Sequence, residues 1–118
     1  MTLSDPMPPR LLSLLSSIEG ALSDTAPISA VTRSADYRKG IARMTFADGS
    51  GSIVLQNFLL ADGQLCVRVD LRRTGAIVPA ETSIYPQTGV DWSSATTRIA
   101  EKWFDLAPDE AREESIPA

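Results

Sequence analysis

Residues 41–73, IARMTFADGSGSIVLQNFLLADGQLCVRVDLRR, constrain this chain more than any other stretch. Two Ala-Asp-Gly triplets, at Ala47 to Gly49 and Ala61 to Gly63, punctuate three apolar or alternating segments. Asp-Gly supplies the positive φ that tight hairpins require, so the pattern predicts two consecutive β-hairpins. In the third segment Leu65, Val67, Val69 and Leu71 alternate with Cys66, Arg68, Asp70 and Arg72. Successive strand residues point to opposite sides, so this strand buries one face and leaves the other largely wet.

A weaker strand, ISAVTRS, precedes this block, and AIVPAETSIY follows Gly75. Pro79 has no amide proton for a ladder, which assigns that last strand to an edge or a bulge. Five strands are expected, near 28–34, 40–47, 52–60, 65–73 and 76–85. No helical periodicity separates them, so they form an antiparallel meander.

The sheet is flanked by two amphipathic segments. Over residues 9–23, Leu11, Leu15, Ile18 and Leu22 fall on one stripe at 100° per residue, with Leu12 and Leu14 beside it. Asp5 can cap this helix and Pro27 prevents its continuation. The opposite side, Ser13, Ser16, Ser17, Gly20 and Ser23, has poor helix propensity, so the helix must be held by packing. In DWSSATTRIAEKWF, with Asp91 as N-cap, Trp92, Ala95, Thr96, Ile99 and Trp103 share a side. Aromatic residues at helical spacing beside an apolar sheet read as core, which makes Trp92, Ile99 and Trp103 structural anchors. The fold class expected is α+β: N-terminal helix, five-stranded antiparallel meander and C-terminal helix, with both helices on one sheet face. A flexible N-terminus (1–8), a single domain (9–105) and an acidic flexible tail (106–118) complete the layout. A chain of 118 residues is the size of one such domain.

The chemistry is narrowed by what is missing. The chain has no histidine, which removes Ser-His-Asp and Cys-His catalysis and histidine-containing zinc sites. Cys66 is the single cysteine, so no disulfide forms within the chain. Arg68 and Arg72 share its side of the strand, yet a half-covered structural thiol accounts for it without a catalytic role. The DGSGS turn at 48–52 lacks both the lysine of a phosphate loop and the spaced carboxylates of a calcium loop. No carboxylate pair has a spacing suited to acid–base work. The residues thus point away from an enzyme and imply no metal and no cofactor.

KGIARMTF, residues 39–46, fits the RNA-recognition-motif signature at Lys39, Gly40, Ala42 and Phe46. Ile41 and Arg43 stand where that motif needs stacking aromatics, and the pI is about 4.7. No nucleic-acid partner is expected. Charge is nonetheless uneven. Residues 1–27 carry one cation and three acids, residues 28–78 seven and four, and residues 79–118 three and eight, giving −2, +3 and −5. Solvated strand faces and a solubilising tail account for this distribution; the alternative is a tail that docks on or shields the basic sheet. No apolar run approaches the roughly 20 residues that span a bilayer. The expectation is therefore a cytoplasmic protein without a membrane partner.

In SIVLQNFLL, Ile53, Leu55 and Leu59 are expected to join the helices. Val54, Phe58 and Leu60 then face away, and no third layer remains to cover them. This face is the candidate interaction surface, for a second copy in a homo-oligomer or for a protein partner. In size, acidity and flanking helices the chain resembles the small acidic secretion chaperones, without the additional helix they carry inside the strand order. The resemblance implies an adaptor or chaperone-like role. The alternative is a small-ligand domain or enzyme using the sheet's concavity, with Arg43, Arg68 and Arg72 as anion contacts.

Overall fold

The computed structural model describes residues 7–36, 38–87 and 89–106. The Asp5 cap and nearly all of the two expected flexible ends lie outside those residues. Helix α1 spans Met7–Thr25, starting two residues before the expected position. Strands β1 (Val31–Asp36), β2 (Ile41–Phe46), β3 (Gly51–Leu59), β4 (Leu65–Arg73) and β5 (Glu81–Pro86) follow, and helix α2 spans Trp92–Leu106. The sheet order is β1-β2-β3-β4-β5 with every neighbouring pair antiparallel, the expected meander.

The periodicities put the core where they should. Leu11, Leu15, Ile18 and Leu22 of α1 are almost completely buried, as is Ile99 of α2. They pack with Ala42, Met44 and Phe46 of β2, Ile53 and Leu55 of β3, and Val67, Val69 and Leu71 of β4. The register aligns these strand residues on one face, Met44 beside Ile53 beside Leu71 and Ala42 beside Leu55 beside Val69. Both helices therefore cover the same side. On edge strand β1 the same parity sends Arg33 toward α1, where Nη1 donates to Ser16 Oγ and Glu19 Oε1, both at 3.0 Å. On β5 it sends Ser83 toward α2, where Lys102 Nζ donates to Ser83 Oγ at 3.1 Å.

Turn chemistry agrees with the sequence. Gly49 and Gly63 take φ of 81° and 91° in the two Asp-Gly turns. Asp48 Oδ1 accepts the Ser50 amide and Asp62 Oδ1 the Gln64 amide, both at 2.9 Å, so each aspartate closes its own turn. Asp91 caps α2: Oδ1 accepts the amides of Ser93 (3.1 Å) and Ser94 (3.3 Å), and Oδ2 accepts the Ser94 hydroxyl.

Two strand boundaries differ from expectation. β1 begins at Val31 and reaches Asp36, three residues later than expected at its start. β5 begins at Glu81 instead of Ala76. Residues 76–80 leave the ladder; Ile77 is 91% exposed and Val78 66%. Pro79 interrupts the run of donors, and pairing resumes with the Ala80 amide on the Leu71 carbonyl at 2.8 Å.

The tryptophans behave as anchors of unequal depth. Trp103 is 4% exposed and stacks on Phe46 with ring centroids 4.8 Å apart. Trp92, in the first turn of α2, is half-buried and tilts against Tyr85 at 5.5 Å. Phe104 packs against the edge of the core.

Candidate interaction surface

Two ends of the sheet differ in chemistry. Toward the β3–β4 turn, the side away from the helices carries Phe58 beside Cys66 beside Pro86, and in the next row Ile41, Gln56, Arg68 and Ile84. Phe58, Pro86 and Ile41 are half-buried, and Ile84 is 52% exposed. The helix side of the same end is also apolar. Leu59 and Leu65 are cross-strand partners there, 61% and 48% exposed, because the hairpin runs past the helices. The expectation that Leu59 joins the core is thereby corrected. Its parity is right, but among the described residues it does not join the core cluster.

Beside this tip lies a mainly apolar groove of about 370 Å³, lined by Leu11, Ser13, Leu14 and Ser17 of α1, Val67 of β4, Gln87, and Trp92 of α2. Val67 is the cross-strand partner of Asn57, one pleat from the Leu59–Leu65 pair. The Gln87 side chain is fixed by donating to Asn57 Oδ1 at 2.9 Å, and its backbone amide donates to the Leu65 carbonyl at 3.0 Å. Knob and groove are thus neighbours, joined through Val67 of the same hairpin.

The residues expected to form the uncovered patch have different fates. Val54 faces away from the helices as expected, yet it is 9% exposed, shielded by neighbouring side chains. Phe58 remains half-buried at the apolar end, and Leu60 stands half-buried just past β3, where its amide bonds the Gln64 carbonyl. The accessible apolar surface has therefore moved from Val54 toward the hairpin tip. Sequence reasoning missed Leu59 and Leu65 because alternation reports which side a residue faces and not how far the covering helix extends.

The three arginines do not converge. Arg68 Nε is paired with Asp70 Oδ1 at 3.0 Å, and Asp70, itself 8% exposed, also accepts the Thr82 hydroxyl at 2.8 Å. Arg72 Nη2 donates to the Ile77 carbonyl at 3.1 Å and steadies the β4–β5 loop. Arg43 and Arg72 share a shallow cavity that does not include Arg68. Cys66 is 1% exposed, with Sγ 4.0 Å from the Gln64 carbonyl, so the thiol is enclosed. Arg73 escaped notice in the sequence, although the alternation that turns Leu71 inward turns Arg73 inward too. Its guanidinium lies 4.3 Å from the Trp103 ring centroid, and Nη2 reaches the Trp103 carbonyl at 3.4 Å. Among the described residues no cluster of His, Cys, Asp or Glu could hold a metal ion, and no helix is long and apolar enough to cross a membrane.

Fold and surface together define a two-layer α+β domain with helices on one face and an apolar hairpin tip. No protein-family model, curated protein or solved structure matches the chain.

Proposed function

We propose that this domain is a non-catalytic protein-interaction module of the adaptor or chaperone-like kind, and that its first partner is a second copy of itself. One observation carries this reading: an apolar knob, Leu59 and Leu65, projects beside a mainly apolar groove lined by Leu11, Leu14, Val67 and Trp92. A two-fold arrangement lets the knob of each copy enter the groove of the other, since an isologous interface uses the same surface twice. Exposed apolar side chains gathered at one end mark interaction sites more often than scattered ones do.

Burying a leucine fully is worth about 1.5–3 kcal/mol, and these leucines are already roughly half covered, so four of them contribute about 3–6 kcal/mol. Lining contacts add to this, while association costs at least about 4 kcal/mol. The leucines alone leave at most about 2 kcal/mol, so a weak dimer near millimolar, which needs about 4 kcal/mol net, requires the lining contacts to supply the rest. Sedimentation equilibrium should show the dimer at high micromolar concentration, and Leu59→Asp with Leu65→Asp should return the monomer with unchanged far-UV circular dichroism. Trp92 lines the groove, so its emission should move to longer wavelength on dilution. A chain that stays monomeric near millimolar concentration, or a double variant that still dimerises, would defeat the reading.

The alternative, a small-ligand site built on Arg43, Arg68 and Arg72, has less support, because Arg68 is committed to Asp70. The groove is of a size that accommodates small molecules, but its lining is mainly apolar, with Ser13, Ser17 and Gln87 as its polar groups, and carries no arginine.

A further inference from the structure

The two edges of the sheet are not equivalent. The Gln87 amide donates to the Leu65 carbonyl at 3.0 Å, which makes Leu65 and Gln87 a hydrogen-bonded pair. Such pairs recur at every second residue of an antiparallel ladder, so Tyr85 and Ser83 bond to Val67 and Val69. Thr82, Ile84 and Pro86 therefore turn their backbone groups outward, away from β4. Among the described residues no strand lies beyond β5 to receive them. At β1 the Ala47 amide on the Ala30 carbonyl, at 2.8 Å, fixes the same alternation, and Val31, Arg33 and Ala35 face outward. Their side chains lie on the helix side, where Arg33 is tied to Ser16 and Glu19 of α1. On β5 the outward residues carry their side chains on the open side, and Ile84 is 52% exposed.

Backbone groups at an uncovered edge are a template for another strand. Pro86 occupies an outward position, where its missing amide costs the β4–β5 ladder nothing. The edge thus offers the amides of Thr82 and Ile84 and the carbonyls of all three outward residues. The charges beside it are already compensated. Lys102 pairs with Glu81 at 3.5 Å, and Arg68, the cross-strand partner of Ile84, pairs with Asp70 at 3.0 Å. A charged side chain on an incoming strand would find these partners taken. An apolar one meets Ile84 on the open side and, on the helix side, the half-buried Tyr85, which tilts against Trp92 at 5.5 Å.

We propose that the β5 edge binds a short, extended, uncharged segment of a partner protein as a sixth strand, held by backbone hydrogen bonds to Thr82, Ile84 and Pro86. A second copy of β5 is a poorer occupant, because pairing about Ile84 sets Thr82 against the other copy's Pro86, which has no amide to give. The edge extends the interaction-module reading to a second surface. It uses neither Leu59 nor Leu65, so a chain that never dimerises still binds the strand.

The probe is a capped hexapeptide alternating threonine and valine, added to the full chain while amide hydrogen exchange is followed by nuclear magnetic resonance. At about 1 mM peptide, exchange at Thr82 and Ile84 should slow at least about twofold, the protection given by a site half filled near that concentration. Val31, Arg33 and Ala35 should exchange as before. The fully N-methylated peptide should give no protection, and lysine in place of valine should weaken it. Ile84→Pro should abolish the effect at Thr82 without unfolding the chain, since the amide removed takes no part in the β4 ladder. Ile84→Lys keeps that amide and should weaken binding by placing a charge on the edge. Unchanged far-UV circular dichroism verifies the fold of each variant. The proposal is overturned if the peptide leaves exchange at Thr82 and Ile84 unaltered, if the N-methylated or lysine peptide protects them equally, or if either variant binds as the unaltered chain does. It is equally overturned if the two amides are slow without peptide: slow at every protein concentration, the edge is covered from within the chain; slow only at high concentration, a second copy holds it.

Discussion

Trp103→Ala probes the joint between sheet and second helix. The indole is 4% exposed, lies on Phe46 at 4.8 Å with an interplanar angle of 19°, and carries the Arg73 guanidinium 4.3 Å from its centroid. Emptying a buried tryptophan site costs about 3–5 kcal/mol. The upper part of that range applies here, because the change also removes an aromatic pair worth about 0.5–1.5 kcal/mol and a cation–π contact of about 1 kcal/mol. Against a typical total stability of about 5–15 kcal/mol, the variant would be marginal. Its melting midpoint should fall by roughly 12 °C or more, taking about 4–8 °C per kcal/mol for a domain of this size. Urea unfolding followed by Trp92 fluorescence and by circular dichroism gives the free energy directly. Arg73→Met alone should cost about 1 kcal/mol, much less than loss of the ring. In the double variant the two losses should be non-additive by at least about 0.5 kcal/mol, since the residues touch. A Trp103→Ala cost below about 1 kcal/mol, the range of surface substitutions, would refute the anchor assignment. Strict additivity with Arg73→Met would remove the cation–π contact from the argument.

Gly51 has φ of 152°, and a Cβ there would collide with the Arg72 backbone carbonyl, which cannot swing aside. Gly51→Ala should therefore lower stability by at least about 1–3 kcal/mol, whereas Gly63→Ala, with open space around its Cβ position, should cost less; equal urea midpoints would contradict this. Asp48 has its pKa held below the ordinary carboxylate value by the Ser50 hydroxyl first and the Ser50 amide second. A depressed folded pKa means that the turn's contribution is complete above the unfolded value of about 3.9 and is lost as pH falls through the folded value. Carboxyl titration by nuclear magnetic resonance should find Asp48 below the ordinary aspartate value, and Ser50→Ala should raise it; an Asp48 titration that ignores Ser50→Ala would show that the turn hydrogen bonds are not the cause.

The layout of this protein was already determined by local periodicity. The 3.6-residue stripe of Leu11, Leu15, Ile18 and Leu22 and the two-residue alternation of β4 each report which side of an element is apolar, and the two Asp-Gly turns report where the chain reverses. Those properties belong to a few consecutive residues, so the two helices, the meander and the inward position of Trp103 were legible without coordinates. Coverage was not. Whether an inward-facing residue meets another side chain depends on where a distant element stops. Leu59 and Leu65 have core parity yet stand in water because β3 and β4 run beyond α1 and α2. Val54 has solvent parity yet is shielded by its neighbours. Partnership among charges is likewise a tertiary matter. Arg68, Arg72 and Arg73 lie within six residues of one another, and they bind a carboxylate, a loop carbonyl and an indole face respectively because each meets a different part of the folded chain.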